Sequence, residues 1–363
     1  MELYVFDKWL NKIGMIDNFT SLRWVRRYYK TGEFELHVDL TLENIALLAR
    51  ENIIYRKDDS EAGVIEYRNL KKDTEGKEVL VLKGKFITSY LNRRIIWETM
   101  VINNTIENAM RILVDANCIN PSITDRIIPN FILGNLKELA EMVNYQISYA
   151  NLEDEIDNLS NISNLGHRLN LDPNLKVLTF EVFKGIDRSV NQSINPRVVF
   201  SEEFDNILEQ EFTDSLNNFK NLCLIGGIGE GTGRRLITVG NSAGLDRYES
   251  FNDQKSLSNE VDSVVMSDTD YNNLLIGKGN ETLAESSEIQ TFESKVNTSS
   301  NLVYKIDYDL GDIVTCISKK WNVTISPRIT EIEEVYEEQG QQINPTFGTN
   351  IPTLLDKIKQ RIK

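Results

Sequence analysis

Histidine, cysteine and proline are scarce in this chain, with two, three and seven residues respectively among 363. Each scarcity removes a class of chemistry. His37 and His167 stand far apart in sequence and fit no HExxH pattern, which excludes the common helix-borne zinc hydrolase. No GxSxG nucleophile elbow occurs, and a Ser/His/Asp or Cys/His triad would depend on one of those two imidazoles as its base. His37 occupies a polar position in an alternating strand, where solvent is its expected environment. Cys118, Cys223 and Cys316 form no CxxC pair and lie among apolar neighbours, so they read as small core residues and not as zinc ligands. Their odd number suits a reducing compartment better than a disulfide framework.

Long hydrophobic runs are also missing. No stretch approaches the roughly 18–20 apolar residues of a membrane helix, so no membrane insertion by this chain is expected. Met1-Glu-Leu-Tyr-Val-Phe6 lacks the basic and apolar regions of a signal peptide. Basic charge is in deficit, with 40 Lys and Arg against 55 Asp and Glu, a formal charge of −15. That balance argues against general phosphate binding and fits a surface that repels nucleic acid.

Apolar residues are present in quantity, at 40%, enough for two or three compact units. Gly226-Gly-Ile-Gly-Glu-Gly-Thr-Gly233 has the look of a phosphate loop. No Gly-Lys-Ser/Thr follows it, and strand patterns flank it on both sides, so it reads as a hairpin tip. Leu22-Arg-Trp-Val-Arg-Arg-Tyr-Tyr-Lys30 mixes basic and aromatic residues as single-strand nucleic-acid platforms do. The competing reading is an amphipathic strand with aromatics inward and Arg and Lys outward, and the acidic total favours it. Glu153–Asp157 and Glu331–Glu334 are acidic clusters expected on solvated faces. Neither has the glycine of a calcium loop, and neither can flank a sugar as a glycosidase pair does. No catalytic, cofactor-binding or metal-binding residue emerges, and no cofactor is expected.

Periodicity divides the chain. Residues 1–97 alternate like antiparallel strands, clearest at Phe34, Leu36, Val38 and Leu40. Gly32 supplies a turn before that strand. Thr41 caps a short helix, further strands are expected near 52–57, 63–70 and 78–97, and Gly84 marks a bulge or bend. Short strands between turn signals suggest a barrel or sandwich. Residues 98–170 read as a small α/β unit. Its first helix is capped by Asn103 or Asn104 and buries Ile106, Met110, Leu113 and Val114. A second helix is expected over 135–144, followed by strands at Tyr145–Tyr149 and Arg168–Leu171.

Strand periodicity returns from 171 to 266, at 177–183, 197–200, 219–228 and 235–239, with an exposed loop over 250–262. A helix capped by Asp268 or Thr269 is expected over 267–292, within a helical insertion of 267–298. Gly277 and Gly279 weaken its middle. Strands resume over 299–340, and 341–363 reads as a loop containing Pro345 and Gly348, then a helix from Ile351 to Lys363. Within the resumed strands, Tyr304–Cys316 reads as strand, tight turn and strand, with Leu310-Gly311-Asp312 as the turn. The fold class is therefore α+β, mainly β. No internal repeat is visible in residue identities.

Thr20-Ser-Leu-Arg-Trp24 and Tyr28-Tyr-Lys-Thr-Gly-Glu-Phe-Glu-Leu36 are similar to the start of siphovirus-type tail proteins. Gly244-Leu-Asp-Arg-Tyr-Glu249, Asp307-Tyr-Asp-Leu-Gly-Asp-Ile-Val-Thr315 and Arg328-Ile-Thr-Glu-Ile-Glu-Glu334 resemble their later part. These are the tail-hub, or baseplate-hub, proteins of phages and phage-derived contractile particles. The resemblance implies a virion or particle component, made in the host bacterial cytoplasm. It implies a homotrimer with two tube-like antiparallel β-barrel domains per chain, 1–97 and 171–266 with 299–340. Three chains would present six barrels to a six-fold tail tube above and a three-fold spike or tip below, among other baseplate proteins. DNA would pass the lumen without specific binding. No peptidase or lysozyme domain is expected after the last β region, so the chain is expected not to be an enzyme. A tail-tip cell-wall hydrolase or carbohydrate-binding protein is the alternative function, and an oligonucleotide-binding barrel a third.

Overall fold

The computed structural model describes residues 1–72, 76, 78–261 and 264–348. The chain is mainly β, with antiparallel sheets predominating. Its largest element is an eight-stranded sheet. In chain order the strands are β1 (Ser21–Arg27), β2 (Glu33–Asp39), β3 (Tyr67–Lys72), β4 (Glu78–Lys85), β5 (Ile207–Ser215), β6 (Ile289–Val296), β7 (Ile329–Glu337) and β8 (Gly340–Gly348). In space the order is β5-β6-β8-β7-β1-β2-β4-β3, and every neighbouring pair is antiparallel.

That order contains one pattern twice. Strands β1, β2, β4 and β3 follow one another across one half, and β5, β6, β8 and β7 do the same across the other. Each half runs first strand, second, fourth, third. The two are joined tail to head, with β7 paired to β1 from Glu331↔Arg27 to Glu337↔Ser21. Sequence identity gives no hint of this repeat, because a strand requires only that its alternate residues face a core.

The two β regions expected at the ends of the chain thus share one continuous sheet. Its inward face carries Leu22, Trp24, Phe34, Leu36, Leu80, Leu82, Ile332, Phe292 and Phe347, all buried. One core lies beneath the first half, around Trp24, Phe34 and Phe86. Another lies beneath the second, around Phe200, Phe292 and Phe347. A third unites Phe6, Tyr90 and Ile96 with α1 (Ile106–Val114), α2 (Leu152–Ser163) and the strands Gly166–Asp172 and Val177–Phe183. A small fourth core, of Cys223, Ile225, Tyr271 and Leu275, sits under α3 (Asp268–Glu285) in the segment between β5 and β6. All three cysteines are free and buried.

Several expectations need correction. Residues 135–144 form no helix. The carboxylate of Glu107 on α1 accepts hydrogen bonds from the backbone N–H of Lys137 (2.6 Å) and Leu139 (3.0 Å), and Met142–Ile147 pairs with Met100–Thr105. Acceptors outside the segment take the donors that a helix would use internally. The second helix of this region is α2, capped by Asn151. Thr105 caps α1, in place of Asn103 or Asn104, and Ser267 caps α3, in place of Asp268 or Thr269. Within the expected helical insertion, the helix ends at Glu285 and Ile289–Val296 is strand β6.

The expected loop over 341–348 falls in strand β8, and the strand Glu249–Asp253 runs into the expected loop 250–262. The helix expected from Ile351 to Lys363 lies outside the described residues. Gly84 marks no bulge, since β2 and β4 keep register across it. Its hydrogen allows a close approach instead, because a Cβ there would stand 1.7 Å from the Val64 carbonyl oxygen.

The Tyr304–Cys316 run holds less strand than expected. Residues 303–312 are mostly turns, and Thr315–Ser318 is the strand that follows. Leu310-Gly311-Asp312 does make the turn, with Gly311 at φ +91° and the Asp312 N–H bonded to the Asp309 carbonyl (3.2 Å). Asp312 is buried and accepts from the backbone N–H of Ile186 (2.7 Å) and Asp309 (3.1 Å) and from Arg188 Nε (2.8 Å). This turn therefore fastens residues 185–188 to the second half of the sheet.

Two substitutions test that fastening. Asp312→Ala strands two backbone donors and a cation in the interior and is expected to cost roughly 2–4 kcal/mol in denaturant unfolding. Gly311→Val combines a positive φ with a Cβ 2.3 Å from the Tyr28 ring and is expected to cost at least about 2 kcal/mol. Unchanged midpoints for both variants would show that the turn is not a fastening.

Candidate assembly interface

Beneath the β7–β1 joint lies a buried network of charges. On β1, Arg26 points into the protein beside Trp24, and both are buried. Its guanidinium reaches the Asp309 carboxylate and the Tyr304 hydroxyl at 2.9 Å each, and Glu61 at 3.3 Å. Arg56, fully buried, bonds to Glu334 of β7 at 2.8 Å, to Asp58 at 2.6 Å and to the Tyr336 hydroxyl at 2.9 Å. The same guanidinium lies against the Trp24 ring (5.4 Å) and the Tyr336 ring (5.0 Å). Trp24 Nε1 donates to Asp59 at 3.1 Å, and Lys305 Nζ to the Asp58 carbonyl at 2.8 Å. Arginine suits this place because its planar fork serves several acceptors and stacks on aromatic faces.

Two sequence readings are corrected here. Arg26 was expected to point outward, and Glu334 belongs to a cluster expected on a solvated face. Strand alternation puts both on the inward face, where each finds an opposite charge. In the other acidic cluster, Glu153 is buried and accepts from Thr31 and from Asn92 (2.7 Å).

The network sets opposite directions on two neighbouring carboxyls. Burial alone would raise the Asp59 carboxyl, but Arg26, Lys305 and Arg56 outweigh it and hold it down, to about 2. Burial is the largest influence on Glu61 and keeps its carboxyl above the ordinary range, against the pull of Arg26. A depressed carboxyl contributes stability above its unfolded-state value and loses it as pH falls through the folded one.

The outward face of the sheet is a ladder of ion pairs. Arg23 of β1 bridges Glu33 (2.9 Å) and Glu333, and Arg27 bridges Glu331 (2.7 Å) and Glu33 (3.2 Å). Glu35 holds Lys83 and His37 Nε2, each at 2.8 Å. His37 is thus half-buried in a polar row, as its position in the strand suggested. The acid on this face is concentrated in the second half, where Glu209, Glu211, Glu293, Glu331 and Glu333 stand against Lys295, whereas in the first half Arg23, Arg27, Lys71, Lys83 and Lys85 outnumber Glu33, Glu35 and Asp39.

The two outermost strands differ in charge. β3 reads Tyr-Arg-Asn-Leu-Lys-Lys and β5 reads Ile-Leu-Glu-Gln-Glu-Phe-Thr-Asp-Ser. Tyr67 and Leu70 on one edge and Leu208 on the other are about half exposed. An open cleft of about 540 Å³ lies against β5, lined by Gln210, Glu211, Phe212, Trp321 and Val323.

The remaining candidates from the sequence lie apart from the buried charge network. Gly226–Gly233 joins the antiparallel strands Leu222–Gly226 and Leu236–Gly240, as read from the sequence. His167 is enclosed, its Nε2 3.2 Å from Asp157 on α2. Burial raises the Asp157 carboxyl, with His167 opposing. Among the described residues no group of three or more His, Cys, Asp or Glu could hold a metal ion, and no helix is long and apolar enough to cross a membrane. Sequence reading missed the sheet edges as a pair. The signal was the opposite charge of two amphipathic segments far apart in the chain.

A family model described as Siphovirus ReqiPepy6 Gp37-like protein matches residues 2–349. No curated protein matches. Among solved structures, the prophage tail protein gp18 of Listeria monocytogenes EGD-e is similar with a TM-score of 0.57 at 14% identity, covering 100% of this chain and 98% of that one. The 43 kDa tail protein of prophage MuSo2 from Shewanella oneidensis gives 0.58 at 12% identity, covering 96% and 98%. The tail protein of Neisseria meningitidis MC58 gives 0.56 at 11% identity, covering 96% of each chain. At these identities the likeness is one of fold.

The buried network makes its own prediction. Asp59→Asn should cost roughly 2 kcal/mol at neutral pH, the worth of a carboxyl lowered from 3.8 to about 2. The difference from wild type should shrink as pH falls below about 4. Chemical denaturation at pH 7 and pH 3 checks this. A gap that stays constant or widens in acid would contradict it.

Proposed function

The chain belongs to the Siphovirus ReqiPepy6 Gp37-like family, and from that premise we propose that it is the structural hub of a phage or phage-like tail. In this reading three copies form a ring at the tip of the tail tube and join it to a three-fold spike or tip at the baseplate. Its place is the virion or a phage-like particle. The role is mechanical, and no turnover of substrate belongs to it.

The observation that carries the proposal is the doubled strand order of the sheet. Each half repeats the same four-strand sequence, and the halves are joined third strand to first. A joint of that kind is heterologous and leaves a third-type edge, β3, at one end and a first-type edge, β5, at the other. Such an interface generates a closed ring when the rotation per copy closes. Three chains then present six similar units to a six-fold tube. The two-unit division, 1–97 and 171–266 with 299–340, corresponds in this reading to two segments of one ring wall, with the α/β region 98–170 and the α3 segment as outer additions.

Electrostatics supports the same reading. The sheet face turned away from the cores is polar and is acidic over its second half, and the whole chain carries −15. A lumen lined by such a face repels nucleic acid passing through it. Closing the ring would also remove both exposed strand edges, which otherwise invite uncontrolled pairing.

Light scattering of the purified full chain should report the mass of three copies, alone or once its tail-tube protein is added. A chain that remains monomeric in both conditions would sink the proposal.

A further inference from the structure

The repeat carries the ring reading further, because the joint inside the chain can serve as a template for one between copies. In the first half Trp24, Phe34 and Gly84 lie opposite one another on β1, β2 and β4. In the second half Phe212, Phe292 and Phe347 do so on β5, β6 and β8. One position along from each row, Lys83 faces Tyr67 and Thr346 faces Glu331. Tyr67 is therefore the counterpart of Glu331. Within the chain Glu331 faces Arg27, three residues beyond Trp24. The same step from Phe212 is Ser215.

Building on the ring reading, we propose that Tyr67–Lys72 of one copy pairs antiparallel with Ile207–Ser215 of the next, with Tyr67 opposite Ser215 and Leu70 opposite Phe212. The occupant of each free edge is thus a second copy of this chain. In this register Lys71 stands opposite Glu211 and Arg68 opposite Asp214. Opposite charges facing each other across strands are favourable. A one-residue slip would send every side chain to the wrong face.

Three observations outside the template agree with this register. Glu211 lies directly opposite Glu293 within the chain, a like-charge pair that destabilises a sheet unless a cation joins it. The Glu293 carboxyl is raised, first by burial and then by Glu211. Lys71 of the neighbour would stand on the other side of Glu211 and supply that cation. Leu70 is 54% exposed on the single chain. Opposite Phe212, it would enter the cleft that Phe212 forms with Trp321 and Val323. Leu70 shares its sheet face with the buried Leu80, and Phe212 shares its own with the buried Phe292, so the pair meets on the inward side.

Crosslinking tests the register separately from the ring. Lys71→Cys with Glu211→Cys in one full-length chain should give disulfide-linked dimers and trimers on mild oxidation. Asn69→Cys with Glu211→Cys, on the same face but two residues out of register, should give few. Lys71→Glu should abolish or weaken the trimer at least tenfold, and adding Glu211→Lys should restore it. If the wild-type chain trimerises but Asn69→Cys with Glu211→Cys crosslinks as readily as Lys71→Cys with Glu211→Cys, or Lys71→Glu leaves the trimer unchanged, the register is overturned and the ring stands. A wild-type chain that never trimerises overturns both. Lys71, Asn69 and Glu211 are surface positions, so folding of the variants is checked by an unchanged melting temperature.

Discussion

The architecture depends on the antiparallel joint between Ile329–Glu337 and Ser21–Arg27. These strands lie some three hundred positions apart in the chain, and their pairing turns two four-stranded units into one sheet. Closing so long a loop costs conformational entropy that only contacts at the joint can offset. Backbone hydrogen bonds and apolar burial supply most of that return. The Arg26 and Arg56 guanidiniums, placed under the joint, make its register specific.

Buried ions are a poor source of net stability, because desolvation consumes most of the Coulombic gain. Their consequence here is selectivity. A one-residue slip of β7 against β1 would send Glu334 to the outer face and leave Arg56 buried without its carboxylate. An apolar joint would tolerate such slips more easily. In the ring proposed above, a joint that cannot slip would suit a wall whose segments must align with their neighbours. The Asp312 turn has a parallel role beneath the second half, where one buried carboxylate gathers donors from two separate segments.

Much of the local structure was legible from residue patterns. Alternation identified β1 and β2, and strand patterns around the glycine-rich segment identified it as a hairpin. Gly311 was read as a turn residue, and its positive φ bears that out. Legibility failed where a contact distant in sequence decided the outcome. Residues 135–144 carry a helical pattern, but Glu107 takes the backbone donors there and the chain runs extended. Glu153 and Glu334 look like surface acids until their partners, Asn92 and Arg56, are brought beside them. The edges of the sheet were legible only as two unremarked amphipathic segments.

Composition and spacing by themselves determined that the chain is mainly β, acidic and without the motifs of the common hydrolases and nucleotide-binding proteins, and a few short runs pointed to a tail-protein family. Those properties are local, or sums over residues, so no fold is needed to read them. Tertiary structure alone decided that the two β regions share one sheet and that the strand order repeats. It also decided that a basic edge and an acidic edge close its two ends. Strand order is a relation between segments far apart in the chain, and side-chain alternation carries no information about which strand lies beside which.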